Sequence, residues 1–155
     1  MGGLMDWMIL PLKRYAEFEG RSRRMEFWMF QLLNLIVSGI AIAIMSAGGF
    51  DLIAMSTGEF TGSAEIGGMF YLGAGLLGLW GLAVLVPSIA LTVRRLHDRN
   101  MSGWWYLGIL VASLIPFVGL FASLAYLVLM LLPGTDGPNR FGPDPKAGGD
   151  AAVFD

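Results

Sequence analysis

His97, Asp98 and Ser102 are of the types that could perform nucleophilic chemistry, as base, orienting acid and hydroxyl nucleophile. Such a set needs its base within hydrogen-bond reach of both partners and an oxyanion site beside the nucleophile. Side chains of neighbours such as His97 and Asp98 usually diverge, and no Gly-x-Ser-x-Gly elbow accompanies them. A turn-forming, loop-tying role is the expectation for both, and no catalytic residue is assigned. His97 is the single histidine and cysteine is absent, which excludes a thiolate metal site and zinc sites of the two- or three-histidine kind within one chain. No metal or cofactor is expected. A formal net charge of −2 gives no global basic field for nucleic acid.

The second candidate chemistry is anion recognition. Arg21, Arg23 and Arg24 are followed by Glu26 and Trp28, and Arg94, Arg95, His97, Asp98 and Arg99 are followed by Trp104 and Trp105. Arg94 and Asp98 are spaced i to i+4, and Arg23 and Glu26 i to i+3, so each pair can meet on a helix. The tryptophans suit the headgroup layer of a bilayer, and Arg94 and Arg95 suit the negative end of a helix dipole. These residues therefore read first as anchors that hold helices in register. They read second as a site for an anionic lipid headgroup, each basic residue contributing about 1 kcal/mol near an anionic surface.

A third group lies within apolar sequence. Gln31, Asn34 and Ser38 fall at i, i+3 and i+7 on one helical face. Small residues form complementary stripes at Gly39, Ala43 and Ala47, at Ala74 and Gly78, and at Gly108 and Ala112. Helix packing with modest interhelical hydrogen bonds is the leading expectation for these polar residues, and the lining of a small solute path is the alternative.

The elements that position these groups follow from where charge is missing. In 155 residues only 14% are charged and 55% are hydrophobic, well short of the ~25% charge of a water-soluble domain. Charge is absent over 24 residues from Phe27 to Phe50, 28 from Ile66 to Val93 and 36 from Asn100 to Thr135. About 20 apolar residues cross a bilayer core. The sequence thus predicts an all-α polytopic membrane protein. Residues 1–26 form an N-terminal interfacial segment, 27–132 a transmembrane domain with spans at about 27–47, 66–93 and 103–132, and 133–155 an irregular tail.

Pro11 interrupts the amphipathic N-terminal segment, so its helix is expected to be short or broken there. Gly48-Gly49 suits the end of the first span. The third run is too long for one perpendicular crossing and carries Pro116 and Gly119 in its middle. One tilted span kinked at Pro116 is the expectation, and a re-entrant hairpin of two half-length helices the alternative. Eight of the ten basic residues flank the first span's start or the connector after the second, which puts the N-terminus in the cytoplasm. Three crossings then place the tail outside.

Three motifs carry a family resemblance: Phe18-Glu19-Gly20-Arg21-Ser22-Arg23-Arg24-Met25-Glu26-Phe27-Trp28, then Arg94-Arg95-Leu96-His97-Asp98-Arg99-Asn100-Met101-Ser102-Gly103-Trp104-Trp105, then Asn139-Arg140-Phe141-Gly142-Pro143-Asp144-Pro145. Together they resemble the domain-of-unknown-function 805 family of small bacterial inner-membrane proteins, from about Pro11 to Pro145. The resemblance implies a compact helical inner-membrane protein whose activity is unassigned.

The spans contain no ionisable residue of the kind that pumps and ion-coupled transporters place there. A non-enzymatic bundle is the expectation, contacting membrane lipid of anionic type, a protein partner or further copies of itself. An oligomeric pore or transport subunit is the alternative, and a lipid-headgroup enzyme using His97 and Asp98 the less favoured one.

Overall fold

The computed structural model describes residues 3–51, 56–57 and 67–147, and its named elements are all helices. These are α1 (Leu4–Lys13), α2 (Arg24–Ala47), α3 (Gly68–Asp98), α4 (Trp104–Ser113) and α5 (Val118–Leu131). The chain divides into two units, Met1–Gln31 with Val86–Asp155, and Leu32–Leu85.

Helices α2 and α3 realise the first two charge-free runs, with mean hydropathy reaching 2.0 and 2.2. Only 17% and 28% of these apolar stretches are buried, so their side chains face outward as they would toward lipid rather than into a soluble core. Helix α2 starts three residues before the expected Phe27 and ends at Ala47 as expected. Gly49 there takes φ +95°, and the amides of Gly49 and Phe50 bond back to Ser46 O at 3.1 Å and Met45 O at 3.2 Å, a Schellman stop. Helix α3 runs five residues past the expected Val93. It closes by the same device, with Asn100 at φ 58° and the amides of Asn100 and Met101 on His97 O and Leu96 O.

Within the Leu32–Leu85 unit, α2 and α3 approach closely where Gly73 lies. A Cβ there would come within 2.6 Å of Ala41 O and 2.5 Å of Met45 Cγ, so the contact requires glycine. The expected small-residue stripes are not the closest contacts, since a Cβ on Gly39, Gly78 or Gly108 would meet nothing within 4 Å. The indole of Trp80 donates to Asn34 Oδ1 at 3.1 Å, which satisfies an intramembrane amide by packing.

In the other unit α1 is short, as expected, rather than broken at Pro11. It passes through this buried proline and ends two residues later at Lys13, while its start is capped by Gly3 N donating to Asp6 Oδ2 at 2.8 Å. More consequentially, residues 104–131 are not one kinked helix. Pro116 lacks an amide and its ring opposes the carbonyl four residues back, so α4 stops at Ser113. Phe117 then adopts φ 64° and ψ −48°, and Val118 N bonds Pro116 O at 2.8 Å across it, a γ-turn that reverses the chain. A Cβ on Gly119 would lie 2.5 Å from Ser113 O, so only glycine lets α5 start this close to the end of α4. The helices return antiparallel, with the rings of Tyr106 and Tyr126 6.1 Å apart. At about 15 and 21 Å, neither helix spans a ~30 Å core alone.

Candidate functional site

The last turn of α3 carries Arg94, Arg95 and Asp98, all buried among described residues of the first unit. They point inward because the loop before α2 and the segment after α5 both pack across this helix end. Arg94, fully buried, donates Nε to Ser22 Oγ at 2.9 Å, Nη2 to Glu26 Oε1 at 3.1 Å and Nη1 to the carbonyls of Arg14 and Glu17. Ser22 N returns a bond to Arg94 O at 3.3 Å. The expected Arg94–Asp98 and Arg23–Glu26 pairs are not formed, because Glu26 is taken by Arg94 and Asp98 by two other arginines.

Asp98 is the centre of the second half of the network. Its Oδ1 accepts from Arg21 Nε at 2.9 Å and its Oδ2 from Arg95 Nη1. A Cβ on Gly134 would collide with Oδ2, so the segment after α5 presses against this carboxylate. That segment and the last residue of α5 supply neutral acceptors to nearly every remaining guanidinium. Arg21 donates to Thr135 O at 2.5 Å and Gly137 O at 2.6 Å, Arg95 to Leu132 O, Arg99 to Pro133 O at 2.6 Å and Arg24 to Leu131 O at 3.3 Å. Arg23 donates Nε and Nη2 to Pro145 O and lies 5.7 Å over the Trp7 ring. Arg95 Nε and Arg99 Nε are buried without a hydrogen-bond partner among the described residues.

The third motif joins the first two here. Asn139 Nδ2 donates to His97 O and Thr135 Oγ1, each at 2.9 Å, and its Oδ1 accepts from Phe141 N at 2.9 Å. His97 stacks on Phe141 at 3.9 Å with Nδ1 3.2 Å from Gly20 O. It thus ties loops together, and the carboxylate that would orient it as a base is committed to arginines. Arg140 donates to Asn100 O at 3.0 Å. Asp144, held by the amides of Lys146 and Gly137, sits below the usual carboxylate range. Glu17 is likewise lowered by its hydrogen bond from Arg14, whose own value is raised by the same contact.

The anchoring candidates therefore separate. Arg21, Arg94, Arg95, His97 and Asp98 form the interior network, and Arg23 lies at its edge. Arg24, Trp104 and Trp105 are exposed, and Trp28 is half-buried with its ring edge-on to Phe27 at 5.4 Å. Gln31, Asn34 and Ser38 are each half-buried. Sequence reasoning missed Arg14 and Ser22 as members and gave Glu26 to Arg23 rather than to Arg94. The signal available was Glu26, the one acid in the first turn of α2. It missed entirely that backbone carbonyls after α5 complete the arginines.

The family described as protein of unknown function (DUF805) matches residues 15–143. Inner membrane protein YhaI of Escherichia coli (strain K12) is 39% identical over 144 residues, 93% of this chain and 98% of the relative. Inner membrane protein YhaH of the same strain is 38% identical over 142 residues, 92% and 98% of the two chains. The uncharacterized protein YiiR of that strain is 29% identical over 145 residues, 82% and 84%. No solved structure matches. With its apolar helices α2 and α3 and a match that spans the first two motifs and reaches Pro143 of the third, the chain belongs to the DUF805 family of proteins of unknown function and is a membrane protein.

Proposed function

We propose that the protein is a non-enzymatic, multi-pass inner-membrane scaffold that presents its arginine-bearing end to anionic lipid or a protein partner on the cytoplasmic side. In this proposal α2 and α3 each cross once, with the N-terminus in the cytoplasm by the distribution of basic residues. Helices α4 and α5 enter from the same face and return to it as a re-entrant hairpin.

The observation that carries the proposal is the pair of bonds from Arg21 to Thr135 O and Gly137 O, at 2.5 and 2.6 Å. A segment that hydrogen-bonds a residue preceding α2 lies on that residue's side of the membrane. The tip of the hairpin supports it further, since Leu114, Phe117 and Phe121 are 78%, 87% and 70% exposed, which water would not favour and acyl chains would. Phosphatase and fluorescent-protein fusions test it. A fusion after Thr57 is expected to read outside and one after Ala147 inside. An outside result at Ala147 refutes the hairpin topology.

The pore alternative draws on Gln31, Asn34 and Ser38, but Asn34 Oδ1 already accepts from Trp80. The enzyme alternative draws on His97 and Asp98, whose contacts favour holding loops together.

A further inference from the structure

We infer that the cavity between α1 and the start of α2 is a binding site for a phosphate group. It has a volume of about 250 Å³ and is lined by Trp7, Leu10, Arg14, Arg21, Arg23 and Glu26, with Pro145 at its edge. That is below the ~300–1,000 Å³ typical of sites for drug-sized ligands, so it suits one small charged group rather than a whole organic molecule. Three guanidinium groups face one carboxylate, and that carboxylate is already engaged from outside the cavity by Arg94 Nη2 at 3.1 Å. Arg14 is paired with Glu17 and Arg21 with Asp98, so the lining cation without a carboxylate partner among the described residues is Arg23.

Donors remain as well as charge. Arg23 spends Nε and Nη2 on Pro145 O, and Arg14 spends Nε and Nη2 on Glu17 at 2.7 and 2.9 Å. Each keeps Nη1 without a hydrogen bond among the described residues, Arg14 Nη1 standing 3.7 Å from Glu26 Oε2. Arg23 Cζ lies 5.7 Å over the Trp7 ring, a cation–π contact that holds the fork at the cavity. Two planar guanidinium groups at one small opening match the oxygens of a phosphate better than they match a halide. The phosphate can come from a lipid headgroup or from solution. The neighbouring exposed Leu4, Met5 and Ile9 of α1 favour a lipid. Only that choice of source rests on the proposed placement of this end at the membrane surface.

The test uses the full chain in dodecyl maltoside micelles at low salt. Retention of phosphatidylglycerol against phosphatidylcholine is read by native mass spectrometry, and binding of inorganic phosphate by calorimetry. Arg14→Gln and Arg23→Gln are each expected to weaken retention about fivefold, the worth of one cation at an anionic surface. Arg140→Gln removes the same charge outside the cavity and is expected to change it less than about twofold, since no ligand contact is lost. Leu10→Trp fills the cavity while leaving every charge in place and is expected to abolish retention, which keeps the test decisive if an arginine variant folds poorly. Binding of both probes shows that the phosphate group suffices, and binding of the lipid alone shows a headgroup source. Equal losses in Arg140→Gln and Arg23→Gln, unchanged retention in Leu10→Trp, or no binding of either probe overturns the inference. None of these results bears on the fusion experiment, which tests topology alone.

Discussion

Replacing Asp98 by Ala should be the most destabilising single change in the inner network. Asp98 is 3% exposed and is shared by two guanidinium groups whose side chains are 1% and 0% exposed, those of Arg21 and Arg95. Removing one partner of a buried ion pair costs about 3–5 kcal/mol, because the remaining charge is left without compensation. Arg21 would keep Thr135 O and Gly137 O, whereas Arg95 would keep only Leu132 O and already has an unpartnered Nε among the described residues. Most of the loss should therefore come from Arg95. Asp98→Asn retains an acceptor but not the charge, and should cost about 1.5–3 kcal/mol, the range for a hydrogen bond to a charged group. Joint replacement of Arg21, Arg95 and Asp98 by Met, Leu and Leu removes the buried charges together and should recover most of the loss. Unfolding by sodium dodecyl sulfate in mixed micelles, followed by far-UV circular dichroism, gives the ranking. An Asp98→Ala variant within about 1 kcal/mol of the parent, or a triple variant no more stable than Asp98→Ala, refutes the reasoning.

Three further outcomes are expected. Because the chain has no cysteine, Tyr106→Cys with Tyr126→Cys should cross-link efficiently with a short bismaleimide, and adding Gly119→Val should abolish the cross-link by driving its side chain into Ser113 O. A double-mutant cycle of Asn34→Leu and Trp80→Phe should return a coupling of about 0.6 kcal/mol, the average for intramembrane side-chain hydrogen bonds, and a coupling near zero would show that the pair is not formed in the micelle. The lowered Asp144 carboxyl contributes stability that is present above its unfolded value and is lost as the pH falls below about 4. Proteolysis of residues 133–147 should accordingly accelerate in acid, and Asp144→Asn should remove that pH dependence.

The two long helices were legible because lipid demands an uninterrupted apolar run and the basic residues mark where it stops. Their ends were legible only in part. Arg94 looks like the end of a span, yet the helix continues to Asp98 because its arginines turn inward and Asn100 provides the left-handed cap. The hairpin was only the alternative reading, since neither half of the 30-residue apolar run around Pro116 is long enough to cross alone and a kinked span was the expectation. The choice lies in the backbone of Phe117 and in the contact between Gly119 and Ser113. For the site, Arg21, Arg94, Arg95, His97 and Asp98 were recognisable as a group. Their partners were not, because a backbone carbonyl can be offered by any residue type and leaves no mark in sequence. The tail that the three-span scheme placed outside contains the acceptors that Arg21 and Arg23 use.

The direction of those bonds has a consequence for biogenesis. Arg21, Arg23, Arg24, Arg95 and Arg99 all donate to carbonyls between Leu131 and Pro145, so each donor is translated before its acceptor. At about 5–20 residues per second, the 122 positions separating Arg23 from Pro145 take roughly 6–24 s to make. Throughout that interval Arg23 is without its Pro145 acceptor, and a basic residue in that state is one that an insertion machinery reads for orientation. On the proposed topology the same side chains would serve successively as a topological address and as the clasp of the finished protein. A ribosome that stalls near residue 130 would release a chain already inserted but never closed, with its basic end open to a quality-control protease.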